Sequence, residues 1–296
     1  MTTSSGLLLI DKAGGLTSHD VVARLRKLFD ERRIGHAGTL DPLATGLLVV
    51  AVGPSTRLLR FAQSETKRYT GTVRLGVATD SLDADGAVTR VAPVPAFSAV
   101  QINQMAATMI GRQSQVPPMV SALKVSGRRL HELAREGIEV ERAPREIVIE
   151  HFELTASSEE DRWDFDVTCS VGTYVRVLLS DLSEKMGTVG HLTALRRISS
   201  GAHHVQDAHR LDDLAELQDV RSALEPAARF VEGLESAVLD DADVAKMRMG
   251  QRLELAPVFL GDEIAAMDRS GALVGVLRRR ATLWKPEIVM SAQGAL

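Results

Sequence analysis

One stretch constrains this chain more than any other. Gly35-His36-Ala37-Gly38-Thr39-Leu40-Asp41-Pro42-Leu43-Ala44-Thr45-Gly46 runs directly into Leu47-Leu48-Val49-Val50-Ala51-Val52. An apolar run of that length, bounded by Gly46 and Gly53, reads as a central strand. Pro42 pushes the residue before it toward extended geometry, so Asp41 belongs to a stiffened loop and not to a helix. Glycines on either side let a ligand approach the backbone, and a carboxylate held there can serve as a reactive group. A Gly/Pro-rich surface turn with Asp41 as a local cap fits the same residues.

The rest of the chain supplies elements for that loop to sit among. Leu7 to Ile10 reads as a short buried strand ending in Asp11-Lys12, and Ala13-Gly14-Gly15 turns the chain. Thr17 with Asp20 three residues on resembles a capping box, and Val21, Val22, Leu25, Leu28 and Phe29 mark one helical face. The opposite face carries Arg24, Lys27, Arg32 and Arg33, which suits either solvent or a phosphate backbone. In Lys67-Arg68-Tyr69-Thr70-Gly71-Thr72-Val73-Arg74-Leu75 the alternation argues a strand with one face inward. Two bases before a tyrosine suit a phosphate met together with a stacked base, or a tyrosine packed on the core rim. Thr79 to Gly86, rich in aspartate, reads as a turn, since the glutamate of a calcium loop is missing. Trp163 to Val171 alternates without a miss, which makes Cys169 a core residue. Gly172-Thr173-Tyr174-Val175-Arg176 then leads into a helix to Gly187, with Arg176 near the junction, where it can serve a cleft or pair with Asp181.

Four of these segments together resemble the TruB family of tRNA pseudouridine synthases. The family loop G-H-x-G-x-L-D-P-x-A-x-G is met at every fixed position by Gly35 to Gly46. The K-R-Y segment with its aspartate-rich turn, the C-S-x-G-T-Y-x-R pattern at Cys169 to Arg176, and His191-Leu192-Thr193-Ala194-Leu195-Arg196-Arg197 follow in the family's order. The resemblance implies that Asp41 is the catalytic residue and that Arg176 pairs with it and orients it. It implies that Tyr69 stacks on the target base and handles a proton, and that Leu195 lines the uracil pocket. His36 is implied to aid base flipping by filling space or touching phosphate, and Tyr174 to shape the pocket. Lys12, Lys67 and Arg68 are expected at the substrate. Residues 112–145 resemble the family's inserted clamp over the T arm; Arg128, Arg129 and Arg135 lie there among Glu132 and Glu136, with Val120 and His131 in place of aromatics. Ala13 stands where the family commonly has proline.

Charge sharpens the division of the chain. The 296 residues carry a net charge of −4, yet residues 207–243 hold eleven acidic and three basic residues. That segment, expected to be helical in parts and broken at Pro226, is disfavoured against RNA phosphates and reads as a connector. The expected organisation is a catalytic domain over 1–206, an acidic connector over 207–239, and a PUA-like RNA-binding module over 240–296. The last is argued from short strand candidates at 252–255, 263–267, 273–277 and 286–290, which suggest a small β-barrel. The fold class is therefore α+β: a mixed, mainly antiparallel central sheet with flanking helices and a small β-rich end.

The single cysteine excludes an internal disulfide and fits a reducing cytoplasm, and no apolar stretch reaches the ~18 residues of a membrane span. His203, His204 and His209 form the one histidine cluster and read as a loop, so no metal and no cofactor are expected. The expected partner is tRNA through its T-arm stem-loop, with no membrane, no protein partner and a monomeric chain. The function implied is isomerisation of uridine 55 to pseudouridine. The competing function is a non-catalytic RNA-binding or tRNA-folding module that holds a splayed base in the same pocket.

Overall fold

In the computed structural model, residues 4–290 are described, apart from 64, 122, 126, 131, 132, 134, 135 and 257. The apolar run after Gly46 is a strand, Thr45–Val52, with seven of its eight residues buried. Its alternate side chains enter two different cores, as burial on both faces requires. Leu48, Val50 and Val52 meet Val21, Val22, Leu25 and Phe29 of helix α1, Ser18–Phe29. Leu47, Val49 and Ala51 meet Phe230 and Val231, and with them Ala265, Val276 and Ile288 of the C-terminal sheet. Helix α1 starts where the sequence predicts: the Thr17 side chain accepts from the Asp20 backbone and Asp20 reciprocates, a closed capping box.

The central sheet contains β1 (Gly6–Lys12), β2 (Ile34–Ala37), β3 (Thr45–Val52) and β4 (Lys67–Leu75). A short pair, β5 (Val77–Thr79) and β6 (Val88–Val91), brackets the aspartate-rich turn. After helix Ala99–Ala107 come β7 (Gly111–Gln115) and a hairpin of β8 (Lys124–Val125) and β9 (Arg128–Arg129). Strands β10 (Arg145–Ala156), β11 (Arg162–Cys169), β12 (Gly190–Ser200) and β13 (His203–His204) complete it, with helix Val175–Lys185 between β11 and β12. The order is β1-β3-β12-β4-β11-β10-β7, antiparallel throughout except at β3–β12.

That parallel contact makes the cleft. Only Thr45 and Gly46 of β3 pair with Arg196 and Arg197 of β12. From Val49 onward the same strand pairs with β2 instead. The loop carrying Asp41 leaves from this fork. A Cβ on Gly46 would lie 2.3 Å from the Arg197 carbonyl oxygen, and its φ of 97° is left-handed, so glycine is required there.

The basic piece after Gly127 begins as strand β9, while His131, Glu132 and Arg135 lie outside the described residues. One expectation is corrected. Among the described residues, the C-terminal strands β14 (Ser236–Val238), β15 (Glu263–Met267), β16 (Leu273–Arg280) and β17 (Leu283–Val289) form an open four-stranded sheet and not a closed barrel. The candidate strand at 252–255 reduces to one bridge between Leu253 and Trp284.

Candidate active site

The Asp41 loop is pinned from below. The Ser18 hydroxyl donates to the Leu40 carbonyl at 3.2 Å and accepts from the Leu40 backbone N–H at 2.9 Å. Gly15 N–H donates to the Pro42 carbonyl at 2.8 Å. Lys12, fully buried, donates from Nζ to the carbonyls of Ala13, Leu16 and Pro42 at 3.0, 2.7 and 3.4 Å. Lys12 thus holds the loop together and does not line the cleft, contrary to the expectation that it meets substrate. Burial lowers its pKa to about 8.

Above the loop lies a cleft of about 560 Å³, a volume suited to one nucleoside-sized group. Asp41, Tyr69, Tyr174, Arg176 and Leu195 all line it, together with His36 and Lys67. These residues come from β2, the β2–β3 loop, β4, the start of helix Val175–Lys185, and β12. Arg68 is absent from the cleft. Successive strand side chains alternate faces, so with Tyr69 inward Arg68 points the other way, where it forms a bidentate pair with Asp166 at 2.9 and 2.5 Å. Tyr174 is fixed through its backbone, which donates to Gln115 Oε1 at 2.8 Å and accepts from Gln115 Nε2 at 3.2 Å.

Arg176 organises the charges. Its Nε lies 3.0 Å from Asp41 Oδ2 and its Nη1 3.3 Å from Asp83 Oδ2. Nη1 also donates to the Ser81 carbonyl at 2.6 Å and Nη2 to the Val120 carbonyl at 2.8 Å. Asp83 is itself held by the Ser81 hydroxyl at 2.5 Å. The Asp41 side chain is 39% exposed toward the cleft, whereas that of Arg176 is only 4% exposed. Burial raises the Asp41 pKa above the usual carboxylate value; Arg176 and Lys12 oppose this, and the charge of Asp83 adds to it. Arg176 is therefore what keeps a partly desolvated Asp41 within reach of ionisation.

His36 packs edge-on against His19 at 5.8 Å, and its Nδ1 is buried without a hydrogen-bond partner among the described residues. Desolvation first, then His19 and Arg197, lower its pKa to about 4, so the ring is neutral at physiological pH. Lys67 donates to the carbonyls of Gln63 and Glu65 at 3.3 and 2.7 Å, and burial lowers its pKa to about 8.

Two residues of the site were not singled out by the sequence reading. Asp83 lay within the aspartate-rich turn, one of three aspartates with nothing in the pattern to choose among them. Arg197 lay beside Leu195 in the fourth motif; it is 1% exposed and lines the cleft. The adjacent pair Arg196-Arg197 was the available signal, because alternation on a strand must turn one of them inward. Arg196 pairs with Asp11 at 2.7 Å on the other face.

Comparison with known proteins finds similarity in both sequence and fold. A model described as "TruB family pseudouridylate synthase (N terminal domain)" matches residues 26–175, and "tRNA pseudouridylate synthase B C-terminal domain" matches residues 176–239. The chain is 43% identical over 265 residues to tRNA pseudouridine synthase B of Psychrobacter cryohalolentis, covering 87% of this chain and 74% of the relative. It is 42% identical over 280 residues to that of Rhodococcus jostii, covering 93% and 90%. A solved Cbf5-Nop10-Gar1 complex contains a chain with a TM-score of 0.74 at 25% identity, covering 95% of this chain and 80% of that one. An H/ACA RNP bound to a substrate RNA containing 2'-deoxyuridine matches in fold, with a TM-score of 0.76 at 22% identity, covering 99% and 87%.

Proposed function

We propose that this chain, which belongs to the TruB family of pseudouridylate synthases, modifies uridine 55 in the T arm of tRNA with Asp41 as its catalytic carboxylate. The chain is an enzyme that isomerises uridine to pseudouridine in tRNA. That reaction breaks the bond from ribose C1' to N1 of uracil, turns the base, and rejoins it through C5. The C5 hydrogen leaves and N1 gains one, so no atom is gained or lost.

The observation that carries the assignment is the 3.0 Å contact between Asp41 and Arg176 inside a cleft that Tyr69 also lines. A carboxylate must be ionised to act as nucleophile or base, and Arg176 offsets the desolvation that opposes ionisation. A paired, stacked uridine has to be flipped into such a pocket, at a cost of a few kcal/mol. His36, neutral and wedged against His19, supports the flip by occupying space and not by binding phosphate as a cation. Tyr69 offers the stacking face and receives a proton, and Leu195 forms the opposite wall. The segment around 112–145 and the module over 240–296 are assigned to the tRNA backbone.

The test is release of label from C5-tritiated uridine in a T-arm stem-loop, beside the same RNA with the target uridine replaced. Release should match the target uridine mole for mole and be absent from the second RNA. Release independent of that position would refute the T-arm assignment.

A further inference from the structure

Arg197 is a buried guanidinium without a countercharge. It is 1% exposed, and among the described residues no carboxylate lies within 4.0 Å of it. Burying a lone cation is costly, and buried charges are ordinarily paired. Its Nε donates to the Leu47 carbonyl at 2.6 Å and its Nη2 to the Gly38 carbonyl at 3.1 Å. These bonds fix the head group without neutralising it. Lys12 and Lys67, both buried, have depressed pKa values to which Arg197 contributes, so it does not sit in a sink of negative charge.

What it faces is Tyr69. Arg197 on β12 and Tyr69 on β4 are direct cross-strand partners, both buried and both lining the cleft. Such partners have Cβ atoms about 5 Å apart on one face of the sheet. Burial raises the Tyr69 pKa; the Arg197 guanidinium is the largest influence opposing that rise, while Cys169 and Asp41 add to it. Lys67 lies two residues along on the same face of β4. Arg197 is thus the cation placed to hold charge on the phenol oxygen.

We propose that Arg197 is a positioning residue for proton transfer at Tyr69: it orients the phenol oxygen and holds the negative charge that oxygen carries when it accepts the C5 proton. The inference rests on the reading that Tyr69 receives that proton. Once C5 is bonded to C1', the C5–H pair forms the C5=C6 bond, the N1=C6 pair retreats to N1, and N1 takes a proton. The tyrosinate becomes the phenol and returns its proton to solvent, so charge and atoms balance.

The chain has two tyrosines, so in a Tyr174→Phe background the phenolate absorbance reports Tyr69 alone. Adding Arg197→Gln should move that titration upward by about one pH unit, a roughly tenfold change in ionisation. It should also raise the kinetic isotope effect for 5-deuterated uridine in single turnover. An unmoved titration would overturn the proposal. Should Arg197→Gln fail to fold, Arg197→Lys is compared in the parent and in the Tyr69→Phe background. A loss of about tenfold in the parent that vanishes with Tyr69→Phe supports action through the phenol. Equal losses in both backgrounds overturn it. Tyr69→Phe turning over at the parental rate would instead sink the Tyr69 reading itself.

Discussion

The guanidinium of Arg176 meets the carboxylate of Asp41 at 3.0 Å and, on its other side, that of Asp83 at 3.3 Å. The pairs differ in access to solvent: the Asp83 side chain is 7% exposed and that of Asp41 is 39%. Asp83 is the fixed partner, and Asp41 the one open to substrate. A planar guanidinium with several fixed N–H directions can hold both at once and still bond two carbonyls.

The first prediction concerns that geometry. Arg176→Lys keeps the charge but cannot span Asp41, Asp83 and two carbonyls, so turnover should fall by about a hundredfold while the fold survives. Single-turnover rates and thermal melting of the same variant check this; near-parental turnover would count against the pairing. Arg176→Ala leaves Asp83 buried and unpaired, and should cost about 3–5 kcal/mol of stability in denaturant unfolding.

A pH profile gives the second. Because burial raises the Asp41 pKa, activity should fall on the acid side at a pH above the ordinary carboxylate range. Arg176→Gln removes the group that lowers it and should push the acid limb higher. Asp83→Asn removes a neighbouring negative charge and should pull the limb lower. Rates measured from pH 4 to 8 decide the order; a limb that ignores both substitutions would separate it from Asp41.

The third separates the two basic residues before Tyr69. Arg68 lies on the opposite face, paired with Asp166, so Arg68→Ala should leave turnover within about twofold. Lys67 lines the cleft, and Lys67→Ala should lower kcat/KM by about tenfold or more. Steady-state kinetics on the T-arm stem-loop compare them directly.

Backbone strain supplies the fourth. Gly38 has φ 85°, and a Cβ there would sit 3.4 Å from Arg197 Nη1 and 3.5 Å from Lys67 Cε. Gly38→Ala should displace the loop between His36 and Asp41 and reduce turnover, with a stability loss of about 1 kcal/mol or more. Gly46→Ala, which drives a Cβ into the Arg197 backbone, should destabilise more strongly. Parallel unfolding curves test the ranking.

These residues also indicate how much could be read before the structure. The strand after Gly46, the capping box at Thr17 and the alternation around Cys169 followed from local pattern, because burial and capping leave short-range marks. The motifs placed Asp41, Tyr69, Arg176 and Leu195 in one family site, and they line one cleft. What was hidden depended on partners far along the chain. Lys12 was expected at substrate from the family resemblance, yet three loop carbonyls enclose it. Arg68 shared a motif with Tyr69, and only strand alternation sends it to the opposite face. Asp83 and Arg197 acquire meaning through Arg176 and Tyr69, neighbours across the fold that no local spacing announces.

The most direct test is Asp41→Asn, measured in parallel for tRNA binding, thermal stability and tritium release. The raised pKa means the folded state disfavours the Asp41 charge, so stability from this group is present at low pH and is lost as pH rises through the folded value. At neutral pH the amide should therefore melt at or above the parental temperature, with Arg176 still held by Asp83. Binding should stay within about threefold while release falls by about three orders of magnitude. Release at a comparable rate from a folded, binding-competent Asp41→Asn would contradict the assignment of Asp41 as the catalytic carboxylate.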